Sequence, residues 1–261
     1  MSNFEIFTLT LLLTVLLIYR VWVYAVNIEN FSVIDVAWSA GFFVQAMLYL
    51  SLSNGYTARK VILFLMISAW SLRLAFFLFK RIRSHHPKED TRYARLRVEY
   101  GSAYKGRFLK FFMMQAFSIS VLTLPFIFVF NNQGESLSGF EWAGIVFFVL
   151  SLAGESLADW QMSRFKAQPT NKGKVCDVGL WRYSRHPNYF FESCIWFSYF
   201  IFMLGTSGLI WGIYAPLTIL FLLLKVTGVP PSEAQSLASR GELYKEYQKK
   251  TSVFFPLPRK P

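Results

Sequence analysis

The groups best able to do chemistry lie close together between Gly179 and Glu192, which reads Gly-Leu-Trp-Arg-Tyr-Ser-Arg-His-Pro-Asn-Tyr-Phe-Phe-Glu. Pro187 suits the first turn of a helix, where its missing N–H costs nothing, and His186 then sits at the cap. Arg185, Asn188 and Glu192 follow at i, i+3 and i+7, on one helical face. A cationic rim, a helix N-terminus and an amide together make an anion site fit for phosphate, pyrophosphate or carboxylate. Tyr183 and Tyr189 can stack on a ring or hydrogen-bond a sugar. A membrane-interface belt of aromatics and arginine would account for Trp181, Arg182 and Tyr183. It does not account for Asn188 and Glu192 leading into an apolar helix, so a ligand site is the preferred reading.

A second set of polar residues falls inside or at the margins of apolar stretches: Asp35, Arg73, Glu155, Asp159 and Glu192. A charge at the centre of a bilayer costs about 2.5–3.5 kcal/mol on insertion scales, so such groups face an interior and have a partner or a task. Snorkelling suffices for Arg73 and partly for Asp35, but short carboxylates such as Asp159 snorkel badly. Glu155, Asp159 and Lys166 share one helical stripe at i, i+4 and i+11, with Arg164 and Lys166 at its rim.

The elements that must carry these groups are membrane helices. Of 261 residues, 54% are hydrophobic and only 16% charged, against about 25% charged in soluble domains. Disorder, collagen, coiled coil and a disulfide scaffold are excluded by the apolar excess, the lack of a period and the count of two cysteines. Seven apolar stretches predict spans over Phe4–Val26, Val33–Leu52, Val61–Phe79, Phe111–Phe130, Phe140–Trp160, Tyr189–Leu204 and Leu209–Val226. The expected fold is an all-α integral membrane bundle of seven transmembrane helices with short interfacial cytoplasmic helices. It is one polytopic domain over 1–261, with substrate-side helices in 1–110 and cofactor-binding helices and the tail in 111–261.

The net charge of +12 is unevenly placed: ten Lys/Arg lie within Lys80–Lys110, six within Arg164–Arg185 and seven from Lys225 onward. The links at 54–60, 131–138 and 205–208 carry few. The positive-inside rule then puts the N-terminus outside and the C-terminus in the cytoplasm, and a bacterial inner membrane is the expected host. The basic loops read as topology and attraction to anionic lipid rather than nucleic-acid binding. Asp90–Tyr100 can form a basic interfacial helix, and a tail helix is expected from Glu233 with Ser232 as its N-cap. His85-His86-Pro87 reads as a loop. No zinc spacing or disulfide pairing is expected of Cys176 and Cys194.

Ser184-Arg-His-Pro-Asn-Tyr-Phe-Phe-Glu192 resembles the C-terminal signature shared by membrane steroid 5α-reductases, sterol C14 reductases and isoprenylcysteine carboxyl methyltransferases. Asn188 with Glu192 is similar to the reductase form, Asn-x-x-Gly-Glu, with Phe191 where that form has Gly. Asp159 followed by Lys166 resembles a second reductase segment, and Tyr244-Lys-Glu-Tyr247 through Phe255-Pro256 resembles the superfamily's C-terminal end. The nearest likeness is to the bacterial 5α-reductase-like proteins grouped as domain of unknown function 1295.

That resemblance implies seven spans and NADPH-dependent reduction of the C=C bond of a lipophilic enone, such as a 3-oxo-Δ4 steroid; a monomer is expected. It implies cofactor contacts from Asp159, Arg164, Lys166, Lys174, Tyr183, Arg185, His186, Asn188, Tyr189 and Glu192. The acid that polarises the enone carbonyl falls on Asp35, and a second donor, a tyrosine in the reductases, on Trp70. Trp38, Phe42, Phe43 and Met47 could line a substrate pocket, although each taken singly reads as ordinary packing. Asp35 reads equally well as a cap of the second helix. A SAM-dependent membrane methyltransferase shares Arg185-His186-Pro187, but its tail carries two consecutive acids where this chain has Glu233-Ala234. A transporter or lipid-binding protein using Asp35, Arg73 and Asp159 as an ion path is the third alternative.

Overall fold

A computed structural model describes residues 1–85, 88–206 and 209–259. His86 and Pro87 of the expected histidine loop, and Ser207 and Gly208 of the last short link, lie outside the described residues. The chain is all-α, 81% helical, with no strand among the described residues. Among the described residues, six helical stretches are long and apolar enough to cross a membrane, which marks a multi-pass membrane protein. The chain forms two compact units, Met1–Leu137 and Ser138–Pro261.

Unit 1 holds α1 (Asn3–Asn27), α2 (Val33–Leu52), α3 (Thr57–His85), the short α4 (Thr91–Tyr100) and α5 (Tyr104–Phe130). Ser2 and Glu5 close a capping box on α1, satisfying backbone donors that the first turn leaves open. The bounds of α2 are those read from its apolar run. Helices α3 and α5 extend beyond theirs, because the cationic segments at 80–85 and 104–110 are good helix formers that continue the turn outside an apolar environment. Asp90 caps α4 by accepting from the Arg92 N–H at 3.0 Å. The sequence grouped residues from 111 with the C-terminal half, but α5 packs against α1, α2 and α3.

The interior of unit 1 is glued by polar side chains as well as apolar ones. Thr14 Oγ1 donates to Gln45 Oε1 at 2.6 Å, and Gln45 Nε2 donates to Tyr49 Oη at 2.8 Å and Thr10 Oγ1 at 3.2 Å. Tyr49 meets Thr123 of α5 at 3.1 Å. All five side chains are buried, so in a medium without water each must find its partner within the bundle.

Unit 2 holds α6 (Gly139–Ala167), α7 (Pro187–Met203), α8 (Tyr214–Phe221), α9 (Val229–Arg240) and α10 (Glu242–Lys250). Ser138 and Glu141 close a second capping box at the start of α6. The last apolar stretch is not one uniform helix: a 3₁₀ turn over Leu209–Ile213 leads into α8, which widens to a π turn over Leu222–Val226. The tail helix starts at Val229, not Glu233. Pro230 and Pro231 occupy its first turn, where their missing N–H groups cost nothing, and Ser232 N–H already bonds Gly228 O at 3.3 Å, so Ser232 is no cap.

Helices α6 and α7 form the most extensive pair in unit 2. Their contact explains the departure at Phe191. A Cβ on Gly154 of α6 would lie 2.4 Å from the Phe191 ring. The small residue expected on α7 is supplied by α6 instead, and the ring fills the space above it.

Candidate functional site

The Gly179–His186 segment is tied to α6 at one end. Gly179 takes φ +57°, where an L side chain is strained, and a Cβ there would meet the Gln161 amide at 2.4 Å. Gln161 Oε1 accepts from the Leu180 N–H at 2.9 Å, and the Trp181 indole donates to Ala158 O at 2.9 Å. Beyond this turn, Pro187 opens α7 directly behind His186.

The other end of the segment is tied to the tail. Arg185 N–H donates to Ser252 O at 2.8 Å, Leu257 N–H donates to Tyr183 O at 3.0 Å, and Ser184 Oγ donates to Phe254 O at 2.7 Å. Tyr247 Oη donates to the carbonyls of Trp181 and Ser184. Residues 251–257 thus run as a strap beside the motif.

The polar centre of this arrangement is Glu233 on α9, which sequence reasoning did not mark as a site residue. Arg185 Nε donates to its Oε1 at 2.8 Å and Nη2 to its Oε2 at 3.2 Å, a bidentate pair. His186 Nε2 lies 2.9 Å from Oε1, Tyr244 Oη donates at 2.8 Å, and Gln248 Nε2 donates to Oε2. The apolar run of the last span ends at Val226, so Glu233 lies outside it. Burial would push the Glu233 carboxyl up, but the bonds from His186, Arg185, Tyr244 and Gln248 outweigh burial and hold it well below the usual carboxylate range. Burial, and then the bond to Glu233, pushes the Tyr244 phenol up.

Arg185 is therefore occupied. Its Nη1 donates to the carbonyls of Gln248 at 3.0 Å and Thr251 at 2.7 Å, so the guanidinium makes four hydrogen bonds inside unit 2. It faces Glu233 and the strap rather than an open anion site, and His186 faces the same carboxylate. Tyr189 stacks on His186 with ring centroids 5.3 Å apart. Nothing in the sequence set Glu233 apart from the other tail acids, Glu242 and Glu246, because 47 residues separate it from His186.

Of the other cofactor candidates, Glu192 is buried and accepts from the Trp196 indole at 3.0 Å. Glu155, on the α6 stripe, is also buried, and Asp159 one turn on is half-buried. Asn188 differs from these: its Oδ1 is buried with no hydrogen-bond partner among the described residues. Arg164 is exposed over the Trp160 ring, and Lys166 and Tyr183 are exposed. Lys174 lines a separate cavity of about 280 Å³ with Asp177, Tyr247, Lys250 and Arg259.

In unit 1, Asp35 stands in the first turn of α2 as an acceptor. Arg92 Nη2 donates to Oδ2 at 2.7 Å, Tyr93 Oη donates to Oδ1 at 2.5 Å, and Arg81 lies 3.6 Å away. Tyr93 is a phenol that the motif comparison did not reach, since α4 is polar and lies outside every apolar run. Trp70 is buried edge-on to Phe42, which meets Trp38 in turn, and the Trp38 indole donates to Ser118 Oγ at 2.9 Å. Phe42 is seven residues, roughly 10 Å of helix, beyond Asp35, so Trp70 and Asp35 belong to different levels of unit 1. A shallow apolar groove of about 400 Å³ lies between α2 and α3, lined by Val36, Leu72, Ala75, Phe76 and Phe79.

The profile of the protein family of unknown function DUF1295 matches residues 21–251. An uncharacterized protein of the fission yeast Schizosaccharomyces pombe is 26% identical over 280 positions, covering 97% of this chain and 80% of that protein. No solved structure matches the chain.

Proposed function

The chain belongs to the DUF1295 family of proteins of unknown function, and from that premise we propose an integral membrane reductase that uses NADPH to saturate the C=C bond of a lipophilic enone of the 3-oxo-Δ4 steroid type. The observation that carries the proposal is Asn188. An amide oxygen buried without a partner costs about 1–3 kcal/mol, and a carboxamide or ribose hydroxyl of a nucleotide would satisfy it. Bound there, NADPH would supply hydride to the β-carbon of the enone.

The chain's own residues divide the work. Asn188 and Glu192 hold the polar end of the nicotinamide nucleoside, with Asp159 and Tyr189 beside them. Arg164, Lys166 and Lys174 supply positive charge for phosphates. Arg164 and Lys174 are exposed and carry no ion pair among the described residues. Arg185 and His186 act through Glu233 as positioning residues that hold the start of α7 in place. In unit 1 the groove beside Val36 suits a flat apolar molecule. The proton-donor role goes to the Tyr93 phenol, with Asp35, which accepts from Arg92 and Tyr93, holding it in place, because charge developing on a carbonyl oxygen needs a preorganised donor.

The same proposal takes α7 as a seventh span. Its 17 residues make about 26 Å of helix, slightly short of the roughly 30 Å hydrocarbon core. It also places α4, α9 and α10 at the cytoplasmic interface, the N-terminus outside, and the protein in a bacterial inner membrane.

The test is a thermal-shift titration of the purified full chain with NADPH, NADH and S-adenosylmethionine, followed by steroid enone turnover. NADPH is expected to stabilise the protein, Asn188→Ala and Asp159→Ala to weaken that effect, and Asp35→Ala to lower turnover with cofactor affinity kept. Stabilisation by S-adenosylmethionine alone would replace the reductase with a methyltransferase.

A further inference from the structure

One end of unit 1, where α1 and α3 finish and α5 begins, carries positive charge that the protein does not neutralise, and we propose that this surface binds the headgroups of anionic phospholipids. Three arginines of the region are committed internally: Arg81 and Arg92 to Asp35 and Asp90, and Arg97 to Glu89. Arg92 also holds Asp90 below the usual carboxylate range against the opposing effect of burial. Most of the other cations face outward. Lys80, Arg83, Lys88, Arg95, Lys105 and Arg107 are exposed, and none has a carboxylate partner among the described residues. Exposed acids nearby are few, namely Glu29 and Glu99.

Two features set the surface at the level of headgroups rather than in water. The Trp22 indole donates to Lys105 O at 3.2 Å, and Tyr19 lies against Trp22 with centroids 5.6 Å apart. Rings with one polar edge settle at the membrane–water interface, so the last turns of α1 bring the start of α5 to that depth. The second feature is Val98. On α4 it is 82% exposed, one turn beyond Arg95, while Tyr93 is buried and Arg97 covers the Phe31 ring. A bare valine beside cations is poorly placed in water and well placed at the boundary of headgroups and acyl chains. The Lys80 ammonium sits 4.4 Å over the half-exposed Phe76 ring, with its stem along apolar surface and its charge at the rim. Nucleic acid would meet the charge but leave Val98 and Phe76 unexplained.

The full chain, reconstituted in nanodiscs of mixed phosphatidylcholine and phosphatidylglycerol and repurified in detergent, is assayed for retained lipid. At low ionic strength phosphatidylglycerol is expected to be retained about tenfold over its mixing ratio. The preference should fall with added salt and largely vanish in Arg83→Gln/Lys88→Gln/Arg95→Gln/Lys105→Gln. Equal retention of both lipids, a preference unmoved by salt, or a preference kept by the variant would overturn the proposal, as would displacement of the lipid by inorganic phosphate or by RNA at equal charge. If the quadruple variant fails to fold, Arg95→Gln alone and the salt titration of the wild type decide the matter. No cofactor or substrate enters the assay, so its result is separate from the fate of the reductase proposal.

Discussion

Replacing Glu233 by glutamine is the most informative perturbation of unit 2. The carboxylate accepts from Arg185, His186, Tyr244 and Gln248, and the Arg185 side chain opposite it is only 11% exposed. Glutamine keeps one acceptor and turns an NH₂ group toward donors that have no use for it. Removing one partner of a buried ion pair costs about 3–5 kcal/mol. The lower end applies here, because Arg185 Nη1 keeps the carbonyls of Gln248 and Thr251. About 3 kcal/mol is roughly a hundredfold in an opening equilibrium. The strap supplies the reporters: the Leu257 amide is bonded to Tyr183 O and the Arg185 amide to Ser252 O. Hydrogen exchange at both should speed up by roughly a hundredfold in Glu233→Gln, with amides in the middle of α6 unchanged. Glu246→Gln, at an exposed pair with Lys249, serves as the control and should change nothing. A change below about threefold at Leu257 would mean that the strap is held by its backbone bonds alone and that Glu233 is not the hub described.

The same carboxylate sets a pH dependence. Its folded value lies below the unfolded value of about 4.3, so its stabilisation is present in full above that value and fades as pH falls toward the depressed one. Strap protection, corrected for intrinsic exchange, should decline below about pH 4 in the wild type and stay flat over that window in Glu233→Gln. Gly154→Ala drives a methyl into the Phe191 ring and should cost about 1–3 kcal/mol in a denaturation assay; Phe191→Ala in the same chain should remove most of that penalty, and additive losses would refute the fit. Gln45→Leu deletes the bonds to Thr14, Tyr49 and Thr10 and should lower stability in detergent by about 1–2 kcal/mol; an unchanged melting midpoint would show that the cluster is idle.

Local features were legible in the sequence and long-range ones were not. The bounds of α2 follow from hydropathy alone, because a membrane helix satisfies its backbone within itself. The short polar helix ending at Tyr100 and the proline at the start of α7 also follow from neighbouring residues. Glu233 could not be found that way, since its meaning depends on α9 folding back onto a segment far upstream. Arg185 was read as an anion ligand for the same reason: an arginine beside a helix start looks available until its partner is in view. Asp35 repeated the pattern with Arg92 and Tyr93, 57 and 58 residues away. The Phe191 substitution was legible as a departure, but its compensation at Gly154 lies on another helix.

The strap also has a consequence for biosynthesis. Phe254 O, which receives the Ser184 hydroxyl, is made 70 residues after it. At about 5–20 residues per second the ribosome needs several seconds to cover that distance, and α7, α8, α9 and α10 are translated in the meantime. The Ser-Arg-His-Pro segment thus waits as a nascent loop, its arginine first for Glu233 and its serine hydroxyl last for Phe254 O, and unit 2 matures only when a late-made stretch of polypeptide threads back to it.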